Sequence, residues 1–320
     1  MRRFLAILEV IALGLILVPN AGGQTATSRA SSDAPLRVIL LGSGLGPLVS
    51  LSQYGPSTLV EAGGQRLLVD CGRGATFRLV QAGVPTQTVT KVFLTHLHSD
   101  HVVQLPDLFL TGWVPGGGAG RATPLEVWGP DGTVDMMSGM EKAFAYDIHI
   151  RRDIDEKFSA DGIAVRSHDI KEGVIFDAGG VRVTAFLVDH GPVTPAFGYR
   201  VDYAGHSVVL SGDTRVSENL VRHAQGTDVL IHEAYDAETA RARSTNLEIT
   251  NAIIAHHTTP EEAGRIFTRV KPRLAVYSHA PATSAVIEQT RRTYAGPLQG
   301  AEDLLDISIG AEVVVHKIGQ

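Results

Sequence analysis

Residues 95–101 read Thr-His-Leu-His-Ser-Asp-His and directly follow a short apolar stretch. Such a stretch predicts a buried strand, and α/β proteins build their sites just beyond the ends of strands. His96 and His98 are two residues apart, so in an extended backbone both can point to the same side. Asp100 and His101 are adjacent and can turn towards a second ion. Because a catalytic metal ordinarily takes three protein ligands and a water, four such side chains indicate two metals in one pocket.

Three later segments carry the same kinds of side chain, each after an apolar stretch. His190 lies in Asp-His-Gly, Asp213 lies in Ser-Gly-Asp-Thr, and His279 lies in Ser-His. Together with residues 95–101, these motifs resemble the H-x-H-x-D-H signature and the later motifs of the metallo-β-lactamase superfamily. The resemblance extends from about Leu36 to the C-terminus. It implies an α/β fold, a four-layer αββα sandwich with a dinuclear site between its two sheets.

Carried over residue by residue, the resemblance implies seven ligands for two divalent metal ions. His96, His98 and His190 would hold one ion, Asp100, His101 and His279 would hold the other, and Asp213 would bridge the two. This donor set suits Zn²⁺, with Mn²⁺ or Fe as alternatives. Cys71, the single cysteine, precedes these motifs. The lactamase branch that uses a cysteine ligand is therefore not supported.

Two more motifs resemble the tRNase Z and arylsulfatase-like branch of the superfamily. Glu233 follows His232 in His-Glu-Ala, and His257 begins His-Thr-Thr. The resemblance implies that His257 stabilises negative charge on the substrate and protonates the leaving group. It implies that Glu233 orients His257 and that Asp100 steers the attacking hydroxide. Because His256 is adjacent, the sequence leaves open which of the two histidines, His256 or His257, takes this role.

The predicted reaction is hydrolysis of an anionic ester, either a phosphodiester or an aryl sulfate ester, by a hydroxide that bridges the two metals. An acyl hydrolase of lactonase or β-lactamase type is an alternative that needs neither His257 nor Glu233. A non-catalytic metal-binding protein is a further alternative, and the complete ligand set counts against it. A ribonuclease Z-like endonuclease is disfavoured. In tRNase Z proteins a long tRNA-gripping arm separates the isolated histidine from the bridging aspartate, and here His190 and Asp213 are only 23 positions apart.

Composition narrows the class of partner. Hydrophobic residues make up 44% of the chain and charged residues 19%, which is typical of a globular protein. The formal net charge of −6 argues against a broad nucleic-acid-binding face, because such a face needs a basic surface. We therefore expect a small anionic ester as substrate and no tRNA. The sequence leaves open whether the protein forms a homodimer.

Residues 1–23 have the layout of a secretory signal. Two arginines precede an apolar run of about 15 residues, short of the roughly 20 that span a bilayer. Small residues at the −3 and −1 positions fit a cleavage site before Gln24. We expect no stable membrane anchor after cleavage, a disordered leader over residues 24–35, and one metallo-β-lactamase-fold hydrolase domain over residues 36–320. The expected location is periplasmic or secreted.

Short apolar runs alternate with amphipathic stretches along this domain. They predict strands at residues 37–41, 66–69, 91–94, 125–128, 181–187, 196–201, 207–210, 228–231, 274–277 and 312–316, and helices at residues 75–82, 102–110, 133–145, 217–225 and 260–270. Residues 115–123 and 237–255 are interpreted as surface loops or lids, the second as a candidate helix pair. Asp70 is expected to orient a metal-bound histidine. The glycine-rich residues 42–46 are expected to pass near the metal pocket.

Overall fold

Two β-sheets form the centre of the computed structural model, which describes residues 34–116, 118 and 120–319. The strands are β1 (Leu36–Gly42), β2 (Ser57–Ala62), β3 (Gln65–Val69), β4 (Lys91–Phe93), β5 (Leu125–Gly129), β6 (Val165–Asp169), β7 (Gly173–Ala178), β8 (Val181–His190), β9 (Val193–Tyr203), β10 (His206–Leu210), β11 (Val229–His232), β12 (Leu274–Tyr277), β13 (Leu298–Gln299), β14 (Leu305–Ile309) and β15 (Val313–Lys317). One sheet has the order β15-β14-β1-β2-β3-β4-β5-β6, and the other has the order β13-β12-β11-β10-β9-β8-β7.

Helices connect the strands and cover the outer faces of both sheets. They are α1 (Ala75–Gln81), α2 (Ser99–Val102), α3 (Leu105–Thr111), α4 (Thr133–Ala143), α5 (Ala145–His149), α6 (Ala160–Ile163), α7 (Glu218–His223), α8 (Ala237–Arg243), α9 (Leu247–Ile254), α10 (Pro260–Val270) and α11 (Ser284–Arg291). A short 3₁₀ turn (Thr86–Thr88) and a π-helical turn (Ile150–Ile154) complete the elements. The helix α10 begins with a capping box, in which Thr259 and Glu262 satisfy each other's free backbone N–H groups.

Strand alternation creates three hydrophobic cores. On β1, Val38 and Leu40 point towards the second sheet, whereas Ile39 and Leu41 point towards α1 and α3. Similar alternation on β10, β11 and β12 fills the core between the sheets and another core beneath α7, α10 and α11. A core between the sheets and one outside each sheet define four layers. The predicted αββα sandwich is confirmed.

The structure contains every predicted strand and helix, with shifts at their ends, and residues 237–255 form the helix pair α8 and α9. The hairpin of β9 and β10 turns at Ala204 and Gly205, which both take positive φ. The charged region from residue 147 to 177, left unassigned by its sequence, contains α6, β6 and β7. The predicted signal at residues 1–23 and nearly all of the leader lie outside the described residues. Among the described residues, no helix combines the length and hydrophobicity that crossing a bilayer requires.

The described residues of 115–123 lie in a surface loop, as one of the two interpretations held, and not in a lid over the site. This loop leads into the start of β5, whereas residues 95–101 follow the end of the parallel strand β4. The loop therefore lies at the opposite end of the strands from the histidine motif. Arg121 fixes it there, because its buried guanidinium donates hydrogen bonds to the carbonyls of Phe109 (2.7 Å) and Leu108 (3.4 Å) in α3 and of Gly162 (3.0 Å).

Replacement of Arg121 by methionine (Arg121→Met) is expected to lower the free energy of unfolding by about 3 kcal/mol. Each buried carbonyl left without a donor costs about 1–3 kcal/mol, and relief from burying a charge offsets part of that loss. Urea unfolding of the metal-free protein measures the difference. Arg166→Met on the exposed face of β6 is the matched control, with an expected change within about 0.5 kcal/mol. Equal stability of the two variants would contradict the anchoring role of Arg121.

Candidate metal centre

The sequence-predicted ligands meet at the carboxyl ends of strands from both sheets. The strands β3, β4, β5 and β6 are parallel, as are β10, β11 and β12 in the second sheet. His96 follows β4, Asp213 follows β10, His279 follows β12, and His190 is the last residue of β8. Because parallel strands end at the same edge of a sheet, residues far apart in sequence are brought to one place.

Backbone geometry separates the four motif side chains into two pairs. His98 has an extended backbone and precedes the single-turn helix α2, which carries Asp100 and His101. Both of these side chains are buried. His279 adopts the left-handed conformation, with φ of 48°, which β-carbon-bearing residues rarely do. Such strain is typical of positions that the surrounding structure holds in place for function.

Each predicted ligand triad comes together. One candidate ligand atom from each of His96, His98 and His190 lies within 4.8 Å of the other two. Asp100, His101 and His279 form a second group that meets the same criterion. These are the two triads that the resemblance assigned to two separate ions.

Asp213 lies between the two triads. Its Oδ2 atom is 3.9 Å from His96 Nε2 and 4.0 Å from His190 Nε2, which belong to one triad. The same oxygen is 3.4 Å from His101 Nε2 and 3.5 Å from His279 Nε2, which belong to the other. One carboxylate oxygen thus faces imidazole nitrogens of both groups, which is the position of a bridging ligand.

The donor atoms are those of a metal site rather than of a hydrogen-bonded core. His96 Nε2, His101 Nε2 and Asp213 Oδ1 are buried and have no hydrogen-bond partner among the described residues. A buried polar atom without a partner costs free energy, so native structures rarely leave several together. Divalent ions held by imidazole and carboxylate would satisfy these atoms, and the donor set matches the preferences of Zn²⁺. The residues present therefore fit two metal ions.

The electrostatics of the cluster centre on Asp213. Burial raises the pKa of its carboxyl group, but the charges of His279 and His101 outweigh burial and hold the pKa well below its usual range. Burial lowers the pKa of His101, and the charges of Asp213 and Asp70 reverse this and hold it well above the ordinary value. His96 lies deeper, and burial together with the charge of His101 keeps its pKa well below the ordinary value. The carboxylate is thus ionised and ready to accept cations.

Asp70 orients His101 from behind, as its sequence context predicts. Its Oδ2 is 2.8 Å from His101 Nδ1, and its Oδ1 accepts the backbone N–H of Thr95 at 2.8 Å. The second contact fixes the start of the motif, and the first leaves Nε2 of His101 facing the cluster. Outer carboxylates of this kind fix the tautomer and direction of metal-binding histidines.

The variant Asp70→Asn is expected to bind Zn²⁺ about 10–100-fold more weakly, because loss of a group that supports a ligand has effects of this size. Isothermal titration calorimetry of the metal-free protein measures the affinity. Asp135→Asn, an exposed aspartate in the first turn of α4, is the control and should leave the affinity unchanged. Wild-type affinity in Asp70→Asn would show that Asp70 supports the fold alone.

His257 and Glu233 form a pair beside the cluster. His257 Nδ1 is 3.0 Å from Glu233 Oε1, so Nε2 is the ring nitrogen available to a substrate. The His257 ring lies 5.1 Å from the ring of His190 and stacks at 5.7 Å on that of His279, centroid to centroid. His257 therefore borders both triads, and the structure brings together all nine residues that the sequence predicted for the site.

Backbone N–H groups fix the carboxylate of Glu233, and the fixed carboxylate orients the ring of His257. Its Oε1 also accepts the backbone N–H groups of Thr214 (3.0 Å) and Thr258 (3.2 Å). Burial lowers the pKa of His257, but the charge of Glu233 and the hydrogen bond outweigh burial and raise the pKa to about 9. In the metal-free protein the imidazole is therefore protonated at neutral pH. The ring of Tyr235 stacks on His257 at 5.3 Å from its other side.

The side chain of His256 takes no comparable position. The backbone carbonyl of this residue is 3.0 Å from His190 Nδ1, whereas its ring packs near the backbone of Gly191. The choice left open between His256 and His257 is thus decided in favour of His257 by the contact with Glu233. Sequence reasoning missed the carbonyl of His256 and the stacking of Tyr235. A backbone carbonyl leaves no mark in sequence, and a tyrosine two residues after Glu233 fits a hydrophobic core as well as it fits a site.

Gly46 makes the closest contact between the glycine-rich loop and the cluster. A β-carbon at this position would overlap the carboxylate of Asp100, so only glycine lets the backbone approach it. Asp100 Oδ2 in turn is 3.3 Å from His279 Nε2. The expectation that residues 42–46 pass near the pocket is confirmed.

The chain belongs to the metallo-β-lactamase superfamily: the family described as beta-lactamase superfamily domain matches residues 65–280. Its homologues include ribonuclease Z proteins. Ribonuclease Z of Mycobacterium sp. strain KMS is 37% identical over 244 residues, covering 76% of this chain and 84% of the relative. Ribonuclease Z of Mycobacterium marinum is 35% identical over 284 residues, covering 86% of this chain and 99% of the relative. The solved structure of human tRNase Z, short form, has the same fold, with a TM-score of 0.64, 22% identity, and coverage of 86% and 99%.

These relatives do not support the expectation that tRNA is excluded as a partner. We based this expectation on the short connection between His190 and Asp213, on the negative net charge and on the predicted export. The M. marinum protein named ribonuclease Z is matched over nearly its whole length by this chain. A tRNA partner is therefore not excluded for this chain.

Proposed function

We propose that the protein is a metal-dependent phosphodiesterase. The observation that carries this proposal is the pair of His257 and Glu233 at the border of both ligand triads. A phosphodiester carries a negative charge and expels an alkoxide, so it benefits from a cationic group that also donates a proton. An acyl hydrolase needs no such group at this place. The ribonuclease Z relatives agree with phosphodiester chemistry.

The residues divide the work of the proposed reaction. Two divalent ions held by the triads and Asp213 would supply an activated water and neutralise phosphate charge when bound. His257 directs Nε2 at the leaving oxygen and donates its proton there. The other ring nitrogen, Nδ1, carries its own proton, which it shares with Glu233. This hydrogen bond keeps the ring in one orientation. Tyr235 restricts the ring from the face opposite His279.

A substrate panel tests the proposed function. The full chain, loaded with Zn²⁺ or Mn²⁺, is assayed with methyl p-nitrophenyl phosphate, p-nitrophenyl sulfate, a lactone and a cephalosporin. We expect hydrolysis of the phosphate diester to exceed hydrolysis of the other three substrates by at least about tenfold in kcat/KM. Preference for the lactone or the cephalosporin would overturn the proposal in favour of acyl chemistry. Preference for the sulfate would also overturn the proposal, in favour of sulfate-ester hydrolysis.

We also propose that residues 1–23 direct export and that the mature chain begins at Gln24, with its hydrolase domain over residues 36–320. This proposal rests on the charged, apolar and small-residue pattern of the sequence. An exported enzyme would meet small diesters rather than tRNA precursors. Cell fractionation with and without residues 1–23 tests it. A full-length, uncleaved chain in the cytoplasm would contradict export and favour an RNA substrate.

A further inference from the structure

A loop beside the cluster, residues 46–53, is here called the rim loop. Its two ends are fixed by one buried carboxylate. Asp303 accepts the backbone N–H of Ser43 at 2.9 Å and that of Tyr54 at 2.8 Å. Arg78 donates to the same carboxylate at 2.9 Å, and its guanidinium lies 4.3 Å from the centre of the Tyr54 ring. The base of the rim loop is therefore rigid.

The fixed base places the rim loop beside two of the three members of one metal triad, Asp100 and His279. The backbone at Gly46 contacts Asp100 directly, as described above. At the other end, Gln53 Nε2 donates to the carbonyl of Ala280 at 3.1 Å, and the N–H of Ala282 donates to Gln53 Oε1 at 3.0 Å. Ala280 is the residue after His279. The tip of the rim loop thus projects from the edge of the site.

That tip is apolar and lacks a partner among the described residues. Leu48, Val49 and Leu51 are 81%, 73% and 96% exposed. The rim loop reads Gly-Pro-Leu-Val-Ser-Leu-Ser-Gln and contains no charged residue. Single exposed apolar side chains are ordinary, but three within four residues beside a site mark a binding surface.

Further exposed apolar side chains lie on α9, the helix that precedes His257 in the chain. The helix α9 exposes Leu247, Ile249 and Ile253, and the last two are four residues apart on one face. The helix ends at Ile254, whose carbonyl accepts the backbone N–H of His257.

We propose that the rim loop binds an apolar ester group of the substrate, so that the enzyme selects phosphodiesters with aryl or alkyl substituents over those with small or charged ones. This inference rests on the proposed function and specifies its substrate class. Leu48, Val49 and Leu51 are the specificity-determining residues. The rim loop itself carries no cation for a polyanionic RNA backbone to pair with, and the guanidinium of Arg73 beside it donates a hydrogen bond to the carbonyl of Pro47 at 3.2 Å.

Three diesters with one leaving group test the proposal: methyl, phenyl and hexyl p-nitrophenyl phosphate. Because the leaving group is constant, differences in kcat/KM report contacts with the other ester group. Wild type should prefer the phenyl and hexyl esters to the methyl ester by at least about tenfold. The variant Leu48→Ser/Val49→Ser/Leu51→Ser should lose this preference through a lower kcat/KM on the phenyl and hexyl esters. The control, Tyr146→Ser/Ile154→Ser/Val314→Ser, removes exposed apolar side chains from elements that supply no site residue and should keep the preference.

Equilibrium binding gives a readout that does not depend on turnover. Calorimetry with diphenyl phosphate and dimethyl phosphate should show about tenfold tighter binding of the diphenyl ester, with a negative heat-capacity change that the triple variant loses. Binding without hydrolysis of any diester would overturn the proposed function and support the rim loop as a binding surface. Hydrolysis with equal rates on all three esters would overturn the rim-loop proposal alone. A triple variant that keeps the ester preference but loses affinity for phosphatidylcholine vesicles would also overturn it, in favour of a membrane surface.

Discussion

The variant Asp213→Asn is expected to lose most of its bound metal and more than about 10³-fold of kcat for diester hydrolysis. The reason is the position of Oδ2, which lies 3.4–4.0 Å from four imidazole nitrogens in two triads. Removing the charge weakens both ion sites together, whereas removing a group that only supports a ligand costs about 10–100-fold in affinity or activity. Metal content by mass spectrometry of the native protein, measured beside kcat, checks both parts.

Thermal stability provides a second measurement of the same prediction. A ligand that binds only the folded state stabilises it by about 4 kcal/mol at a thousand times its Kd. For a domain of this size that corresponds to a rise in Tm of roughly 10 °C. Wild type should show this rise with Zn²⁺ and lose it with a chelator, whereas Asp213→Asn should show little rise.

Asp135→Asn, which removes one exposed carboxylate, serves as the control and should match wild type in metal content, Tm and rate. A metal-free Tm of Asp213→Asn close to that of metal-free wild type would show that the variant folds. Two ions bound in Asp213→Asn, with a normal rise in Tm, would contradict the bridging role.

The strands and helices that the sequence predicted are those whose buried residues form a clear pattern of apolar residues in the sequence. The strand β12, Leu-Ala-Val-Tyr, is buried on both faces and reads as a short apolar run. By contrast β6, Val-Arg-Ser-His-Asp, is an edge strand with exposed polar residues and was missed. The strand β14 was missed for another reason. Its Asp306 is buried, which apolar patterns do not anticipate, because Arg37 of the neighbouring strand binds it through two hydrogen bonds of 2.8 Å.

The residues of the site could be predicted more completely than the strands and helices around it, because the ligands are side chains at characteristic spacings. Sequence could not reveal which groups hold those side chains in place. The carbonyl of His256 and the N–H of Thr214 are backbone atoms, and any residue supplies them. The position of Arg121 was likewise unreadable, since an arginine beside a glycine-rich stretch ordinarily indicates solvent exposure.

The variant His257→Ala is expected to slow hydrolysis of a dinucleotide by about 10³-fold and hydrolysis of p-nitrophenyl diesters by less than about tenfold. A sugar alkoxide must be protonated as it leaves, whereas p-nitrophenolate leaves without a proton. General acid catalysis contributes about 10²–10⁴-fold where it is needed. Cations bound at the neighbouring triads will lower the pKa of His257 from about 9 towards neutrality, which suits a proton donor. Steady-state rates on both substrates, with metal content measured in parallel, check the prediction.

The adjacent His256 is the control, because its backbone carbonyl contacts His190 Nδ1 and its ring lies 6.0 Å from the His190 ring, outside the pair with Glu233. His256→Ala should therefore retain rates within about fivefold of wild type on both substrates, as expected for a side chain outside the chemistry. Glu233→Gln keeps an acceptor for the N–H groups of Thr214 and Thr258 but removes the charge that faces His257. It should reproduce the leaving-group dependence of His257→Ala at a smaller size, about 10–100-fold on the dinucleotide. Equal losses on both substrates in His257→Ala would mean that His257 positions the phosphate rather than protonating the leaving group. In that case Glu233 would act by holding a cation, and its variant would raise KM instead of lowering kcat.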